Sequence, residues 1–428
     1  MNHFYLQTAI LRLCQQPRSF EYISKSLNGF DPVEANALLN EMEQKGELVC
    51  INNLWSIKEI SYRSNTLPLY PVEPKLYLQK YMGYFDFLKT PHPLDFEWRN
   101  SSFSLNRLLN KLTTLVTPSD KLLFLGMPTL FATAILKDIP NIITLIERNG
   151  PIIQGLKKIN TDSERFRIVE ADIFTIKPAI VSQHYCVMMD PPWYTPHFYQ
   201  FMWLAAKSVS IGGLVAITLP PINTRPDIME ERLKWFSYCK DLGLCIETIE
   251  PQQLQYAMPF FEFNAFRAAG IKNILPFWRK GDLAIFRKIT DVTIERPDFT
   301  PMKSSWIEKE YNSSRIRIKV DDQSNQLVVN NTNDAEINSL IKGDILSTVS
   351  SRDGRRANVN IWTSGNRIFK TNNPFFVLKA LDRIIKGDAL TAEQQQVQGF
   401  FETISKFEEA EFKEYLDWIY YEMERQAD

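Results

Sequence analysis

The sequence predicts an α/β protein built on a doubly wound parallel sheet, with a small helical module before the sheet and an α+β region after it. Three observations carry this. From Ser104 to about residue 288, short apolar runs alternate with amphipathic helical stretches, and strands separated by helices pair in parallel. Four of those runs end on Gly126, Glu147, Asp172 and Asp190, and ligands of such sheets sit beyond the carboxyl ends of the strands. Residues 1–60 have a different rhythm, helical and then a short hairpin.

Residues 3–15 alternate at helical period, Ser19 caps a second helix through Leu27, and Asp31-Pro32 opens a third with Ala35, Leu38, Leu39 and Met42 on one face. Glu47 to Ile57 reads as two strands around Asn52-Asn53, which completes a winged helix pattern. This module holds five Lys/Arg against seven Asp/Glu, the wrong sign for gripping phosphates, so protein docking or dimerisation is expected of it before DNA binding. Residues 61–103 read as a linker, Pro- and Tyr-rich at first. It ends in Pro91-His-Pro-Leu-Asp-Phe-Glu-Trp-Arg99, whose Asp95 and Glu97 are candidates for the mouth of a site.

Residues 104–290 form the sheet domain. Its strands are Lys121–Gly126, Ile142–Ile146 ending at Glu147, Phe166–Asp172, Val187–Met189 ending at Asp190, Gly212–Leu219, Leu244–Ile249 and Leu283–Arg287. Between the last two lies the aromatic-rich segment Tyr256–Gly270. It is either a lid that carries Tyr256 and Arg267 inward or a plug under the C-terminal region. Residues 300–376 read as a β-rich unit with basic strands and loops (Arg315, Arg317, Lys319, Arg355, Arg356) around Trp362, a combination that suits a phosphate backbone. Its eleven Lys/Arg against eight Asp/Glu make it only mildly positive. Residues 377–428 read as helical, with an apolar stripe through Phe401, Ile404, Phe407, Phe412 and Ile419 that packs on its own protein or serves self-association.

A net charge of −1 gives no global argument for nucleic acid or membrane. The five cysteines are scattered without Cys-x-x-Cys spacing, and none of the four histidines pairs with a Cys or another His at metal spacing, so no metal site is expected. With no apolar stretch of spanning length and no signal-peptide pattern, a cytoplasmic location is the expectation.

The chemistry concentrates at Asp190-Pro191-Pro192-Trp193-Tyr194. A buried strand ending there offers an acceptor carboxylate, a proline carbonyl and flat rings, which suits holding an amino group. Asp190 and the Pro191 carbonyl are read as taking the amine hydrogens, and Trp193 or Tyr194 as stacking on a base. A plain strand-ending turn is the alternative. Glu147 is read as accepting the two hydroxyls of a ribose, and Asp172 as accepting an adenine amino group with Ile173 and Phe174 against the ring. Gly126 is read as allowing close backbone approach.

On these residues, about 104–288 resembles class I S-adenosylmethionine (AdoMet) dependent methyltransferases, and Asp190-Pro-Pro-Trp193 resembles the catalytic motif of enzymes that methylate adenine N6. The resemblance implies a Rossmann-like sheet of seven strands with an antiparallel last strand, AdoMet over the first two, and direct methyl transfer to an amino nitrogen. The first loop has a single glycine where that superfamily usually has several. The winged helix, Pro-rich linker, one-glycine loop and Asp190–Pro196 are also similar to branched-chain polyamine synthases, which implies aminopropyl transfer from decarboxylated AdoMet. Those synthases carry acids where this chain has Met127, Pro128 and Thr129. Nucleic acid, a polyamine, and a second copy or other protein are the partners these readings leave open. A third reading is a non-catalytic binding protein with a degenerate cofactor pocket.

Overall fold

The computed structural model describes residues 4–27, 29–58, 87–95, 97–181, 183–222, 224–225, 227–271, 275–298, 306–320, 335–350 and 353–427. Most of the expected Pro- and Tyr-rich linker lies outside these residues.

The N-terminal unit has helices α1 (Phe4–Leu13), α2 (Phe20–Ser26) and α3 (Pro32–Gln44), with strands β1 (Arg18–Ser19), β2 (Leu48–Ile51) and β3 (Leu54–Ile57) in the antiparallel order β1-β3-β2. Ser19 accepts the Tyr22 N–H at 3.2 Å and Asp31 accepts the Val33 N–H at 2.8 Å, so both caps act as their residue types favour. Ala35, Leu38, Leu39 and Met42 are buried on the inner face of α3. Asn52 and Asn53 both have positive φ, the geometry of a two-residue hairpin turn.

The central unit begins with α4 (Ser102–Leu115) and β4 (Leu122–Leu125), then α5 (Pro128–Leu136), β5 (Ile143–Glu147), α6 (Gly150–Ile159), β6 (Phe166–Glu170) and β7 (His184–Met189). It continues through α7 (Thr195–Ser208), β8 (Val209–Leu219), α8 (Ile228–Asp241), β9 (Leu244–Gln255), α9 (Phe260–Ala268) and β10 (Lys280–Lys288). The seven strands are ordered β6-β5-β4-β7-β8-β10-β9, with β10 antiparallel to both neighbours and the pairs from β6 to β8 parallel. This is the Rossmann-like methyltransferase sheet that the resemblance implied. Alternate residues of β4 face opposite layers: Leu122 and Phe124 join α4, α5 and α6, whereas Leu123 and Leu125 join α7 and α8. The chain leaves β4 toward β5 on one side and returns at β7 on the other, so the crevice opens between the ends of β4 and β7, at Gly126 and Asp190.

The C-terminal unit is a five-stranded antiparallel sheet, β11 (Trp306–Tyr311), β12 (Ser314–Lys319), β13 (Ile337–Ser339), β14 (Ile361–Thr363) and β15 (Ile368–Thr371), in the order β11-β12-β14-β15-β13. Helices α10 (Pro374–Lys386) and α11 (Ala392–Ala427) pack against it, burying Val377, Leu381, Phe401 and Ile404. Further along α11, Tyr415 and Ile419 enter the core of the sheet domain, and the Tyr415 hydroxyl donates to the Met258 carbonyl at 2.8 Å. The apolar stripe of α11 thus packs on its own chain, except Phe407, which is exposed. Among the described residues no helix is long and apolar enough to cross a membrane.

Candidate functional site

Two cavities lie over the carboxyl ends of the strands and share Glu97, Gly126, Pro128, Asp190 and Pro192. The first, about 400 Å³, is walled by Trp98, Asn100, Trp193, Tyr256, Trp278 and Arg279. Gly29, Asp31, Val33 and Glu34 of the N-terminal unit and Thr348–Ser350 of the C-terminal unit complete it. The second, about 480 Å³, is walled by Glu147, Arg148, Asp172, Ile173 and Phe174, with Trp306, Glu308 and Arg317 closing over it. All three units therefore contribute to one continuous cleft, and Asp190 sits where its halves meet.

Asp190 follows the last residue of β7, and the chain turns sharply there, with the Tyr194 N–H donating to the Pro192 carbonyl at 2.7 Å before α7 begins. The Tyr256 hydroxyl lies 2.9 Å from both Asp190 oxygens. Burial pushes the Asp190 carboxyl up to about 7, against the hydrogen bonds from Tyr256, Thr218 and Asn100 and the charge of Arg279. A carboxyl so placed takes up or gives up a proton near neutrality. Tyr256 is correspondingly held well above the usual phenol range, by burial and by the neighbouring Asp190 charge.

Backbone pairing assembles this cluster. Residues 99–101 run antiparallel to 255–257, with Ser101 N–H on the Gln255 carbonyl and Ala257 N–H on the Arg99 carbonyl, each 2.8 Å. The Tyr256 N–H reaches the Arg279 carbonyl at 3.0 Å. The Arg279 guanidinium lies 4.6 Å from the ring centre of Trp278, 4.8 Å from Trp98 and 5.7 Å from Trp193, and pairs with buried Glu262 at 2.6 Å. The N-terminal unit docks beside it. Gly29 has φ +86, and a Cβ there would stand 3.1 Å from the Lys280 backbone nitrogen, so close approach and backbone conformation both ask for glycine. Asp31, which caps α3, is pushed up to about 6, chiefly by burial.

In the second cavity, Glu147 Oε1 accepts the backbone N–H groups of Arg148 and Asn149 at 2.8 Å each, and burial raises its pKa. Asp172 Oδ1 accepts the Phe174 N–H at 2.9 Å, while Oδ2 receives Arg148 at 3.2 Å across an exposed pair. Gly126, at φ +63, faces both cavities.

The structure therefore brings together Gly126, Glu147, Asp172, Ile173, Phe174, the Asp190–Tyr194 run, Glu97 and Tyr256. The two other expected substrate residues fall differently. Asp95 borders the second cavity and not the first, and its carboxylate is taken by Arg315, at 2.6 Å, and by Arg317. Burial acts to raise Asp95, but those two charges outweigh it and hold the carboxyl at about 2. Arg267 lines neither cavity. It is half-exposed on α9, pairs with Glu414 of α11 and lies over Phe263. The segment around α9 is accordingly a plug: Phe260 and Phe263 pack against Phe412, Tyr415 and Trp418 of α11. The expected basic face of β12 is also neutralised, because Arg315 and Arg317 are shared between Asp95 and Glu308, and Trp362 is buried under Arg356.

Sequence reasoning missed Asp31, Asn100, Thr218, Trp278 and Arg279. Asn100 directly follows the polar and aromatic stretch singled out before the sheet domain, and the adjacent Trp278-Arg279 immediately precedes the last strand. No spacing rule ties either of them to Asp190.

No family model and no curated protein matches the sequence. Among solved structures, the chain is similar to a branched-chain polyamine synthase C9 mutein from Thermus thermophilus in complex with N4-aminopropylspermidine and 5'-methylthioadenosine. The TM-score is 0.54 at 10% identity, over 68% of this chain and 87% of that one. The branched-chain polyamine synthase from the same organism, with the same two ligands, gives 0.53 at 11% identity, over 67% and 88%. The likeness is one of fold.

Proposed function

We propose that this protein transfers an alkyl group from an AdoMet-type sulfonium donor to an amino nitrogen, with methyl transfer to the N6 of adenine in nucleic acid as the leading reading. The observation that carries it is Asp190, a carboxyl with a pKa of about 7 at the junction of two cavities. The second cavity fits an adenosyl group: it has adequate volume, a carboxylate at Glu147 for ribose hydroxyls, and Asp172 with Ile173 and Phe174 for adenine. Met127, Pro128 and the positive-φ Gly126 leave room beside it for a donor's tail.

The donor supplies an electrophilic carbon whose sulfur leaves as a neutral thioether, and the nitrogen that gains the carbon must lose one proton. Asp190 is the base for that proton, with Tyr256, Thr218 and Asn100 steadying its ionised form. Pro191, Trp193 and Tyr194 border the same cavity and hold the acceptor in line, so positioning supplies much of the rate.

A second reading, aminopropyl transfer from decarboxylated AdoMet to a polyamine, is favoured by the carboxylates of Asp31, Glu34, Glu97 and Asp227 around the acceptor cavity. Calorimetric titration with each donor separates the two, since methyl transfer needs AdoMet and aminopropyl transfer the decarboxylated form. In either case Asp190→Asn lowers kcat by roughly 10²–10⁴ and leaves donor affinity within about threefold. Unchanged turnover removes Asp190 from the mechanism.

A further inference from the structure

Asn100 and Trp278 line the acceptor cavity, are 2% and 5% exposed, and each keeps one buried polar atom without a partner, Asn100 Oδ1 and Trp278 Nε1. Asn100 supports the ionised form of Asp190 through a hydrogen bond, so its NH₂ end is turned to that carboxylate and its carbonyl oxygen is the end without a partner. Among the described residues, Trp98 Nε1, Arg225 Nε and Arg279 Nε on the same walls are also buried without partners, against one further acceptor, Glu97 Oε2. The unmet groups of this cavity are thus mostly donors. A protonated aliphatic polyamine brings only more donors and leaves the indole N–H groups unsatisfied. An amino group on a heteroaromatic ring brings N–H for Asn100 and, one atom away, a ring nitrogen that accepts. It is also flat enough to lie among three indoles.

We propose that the acceptor cavity reads an amino group together with the ring nitrogen beside it, Asn100 Oδ1 taking an amine hydrogen and Trp278 Nε1 donating to the ring. This rests on the transferase reading and narrows its substrate to a planar amino-heteroaromatic group. Asn100 also orients the nitrogen toward Asp190, which makes it an amine-positioning residue, whereas Trp278 acts on recognition.

The test uses the full chain, as wild type, Trp278→Phe and Asn100→Ala, with an adenine-containing single-stranded oligonucleotide and AdoMet. A second oligonucleotide has CH in place of the adenine ring nitrogen beside the amino group, and spermidine with decarboxylated AdoMet is the third probe. Steady-state rates are paired with calorimetric affinity for the oligonucleotides. Trp278→Phe keeps an aromatic ring but removes the N–H together with part of the indole's bulk, so the expected result is an affinity and KM about tenfold poorer with kcat nearly unchanged, and the altered oligonucleotide separates the hydrogen bond from the lost packing. The altered oligonucleotide costs wild type a similar factor and costs the Phe variant little more, because both remove the same hydrogen bond. Asn100→Ala lowers kcat at least tenfold; if that variant fails to fold, the tryptophan cycle decides alone. Equal affinities across the cycle overturn the inference. Turnover of spermidine with an inert oligonucleotide overturns it too, while leaving amino-nitrogen transfer standing. Binding of neither donor overturns both.

Discussion

The Tyr256 hydroxyl stands 2.9 Å from both oxygens of Asp190, joining the segment after β9 to the turn after β7 at the meeting point of the two cavities. A hydroxyl shared between two carboxylate oxygens favours the ionised carboxylate, and it opposes the burial that raises Asp190. The pair therefore sets the pH at which the acid becomes a base.

Tyr256→Phe removes that support and leaves the burial. The Asp190 pKa then rises further, by roughly one to two units if the bond has the strength usual for a charged acceptor. With the base form active, as proposed, the acidic limb of the pH profile of kcat/KM moves from about 7 to higher pH. The variant is expected to be slow at pH 7 and to recover toward wild type at pH 9. A pH profile superimposable on the wild type, whatever its height, removes the coupling.

Much of this was legible in the chain. The strand ends at Gly126, Glu147 and Asp190 could be read because a parallel strand buried on both faces is a largely apolar run that stops where the polar residues begin, whereas Asp172 lies two residues past the edge strand β6, in which Arg167 and Glu170 are exposed. The caps at Ser19 and Asp31 could be read because capping is local. Asn100 and Trp278 could not, because a long-range antiparallel pairing with the 255–257 strand end brings the first to the site and the segment leading into β10 brings the second. Asp31 has a local task as a cap and a distant one as a cavity wall, and only the first leaves a mark on the sequence. The basic alternation of 315–319 misled partly for the same reason: Glu308 on the neighbouring strand supplies one counter-charge, but the other, Asp95, lies 220 residues away.

Glu147 offers a check on the donor half that is independent of the acceptor. 5'-Methylthioadenosine carries adenine and ribose without an amino-acid tail, so its affinity reports on this half alone. Glu147→Ala removes the carboxylate proposed to accept the ribose hydroxyls and is expected to weaken calorimetric binding by roughly 10- to 100-fold, the range of one to two hydrogen bonds to a charged group. Affinity in wild type should also fall as the buried carboxyl, whose pKa is raised, becomes protonated. Binding that is indifferent to the substitution would take the ribose role away from Glu147.

The network of Asp95, Glu308, Arg315 and Arg317 joins the C-terminal sheet to the segment before the sheet domain, and its charges balance two against two. Arg315 and Asp95 are both nearly inaccessible, with side chains 4% and 3% exposed, so neutralising Asp95 leaves a buried guanidinium undercompensated. Asp95→Asn is expected to cost about 3–5 kcal/mol at neutral pH. Asp95 titrates at about 2 in the folded protein, below its ordinary 3.8, so its contribution is complete above about pH 4 and is lost as pH falls toward 2. Thermal unfolding of wild type and Asp95→Asn should therefore differ most at pH 5 to 7, and the gap should narrow as pH falls from about 4 to about 2. A gap that stays constant down to pH 2 would mean that the aspartate stabilises through packing rather than charge.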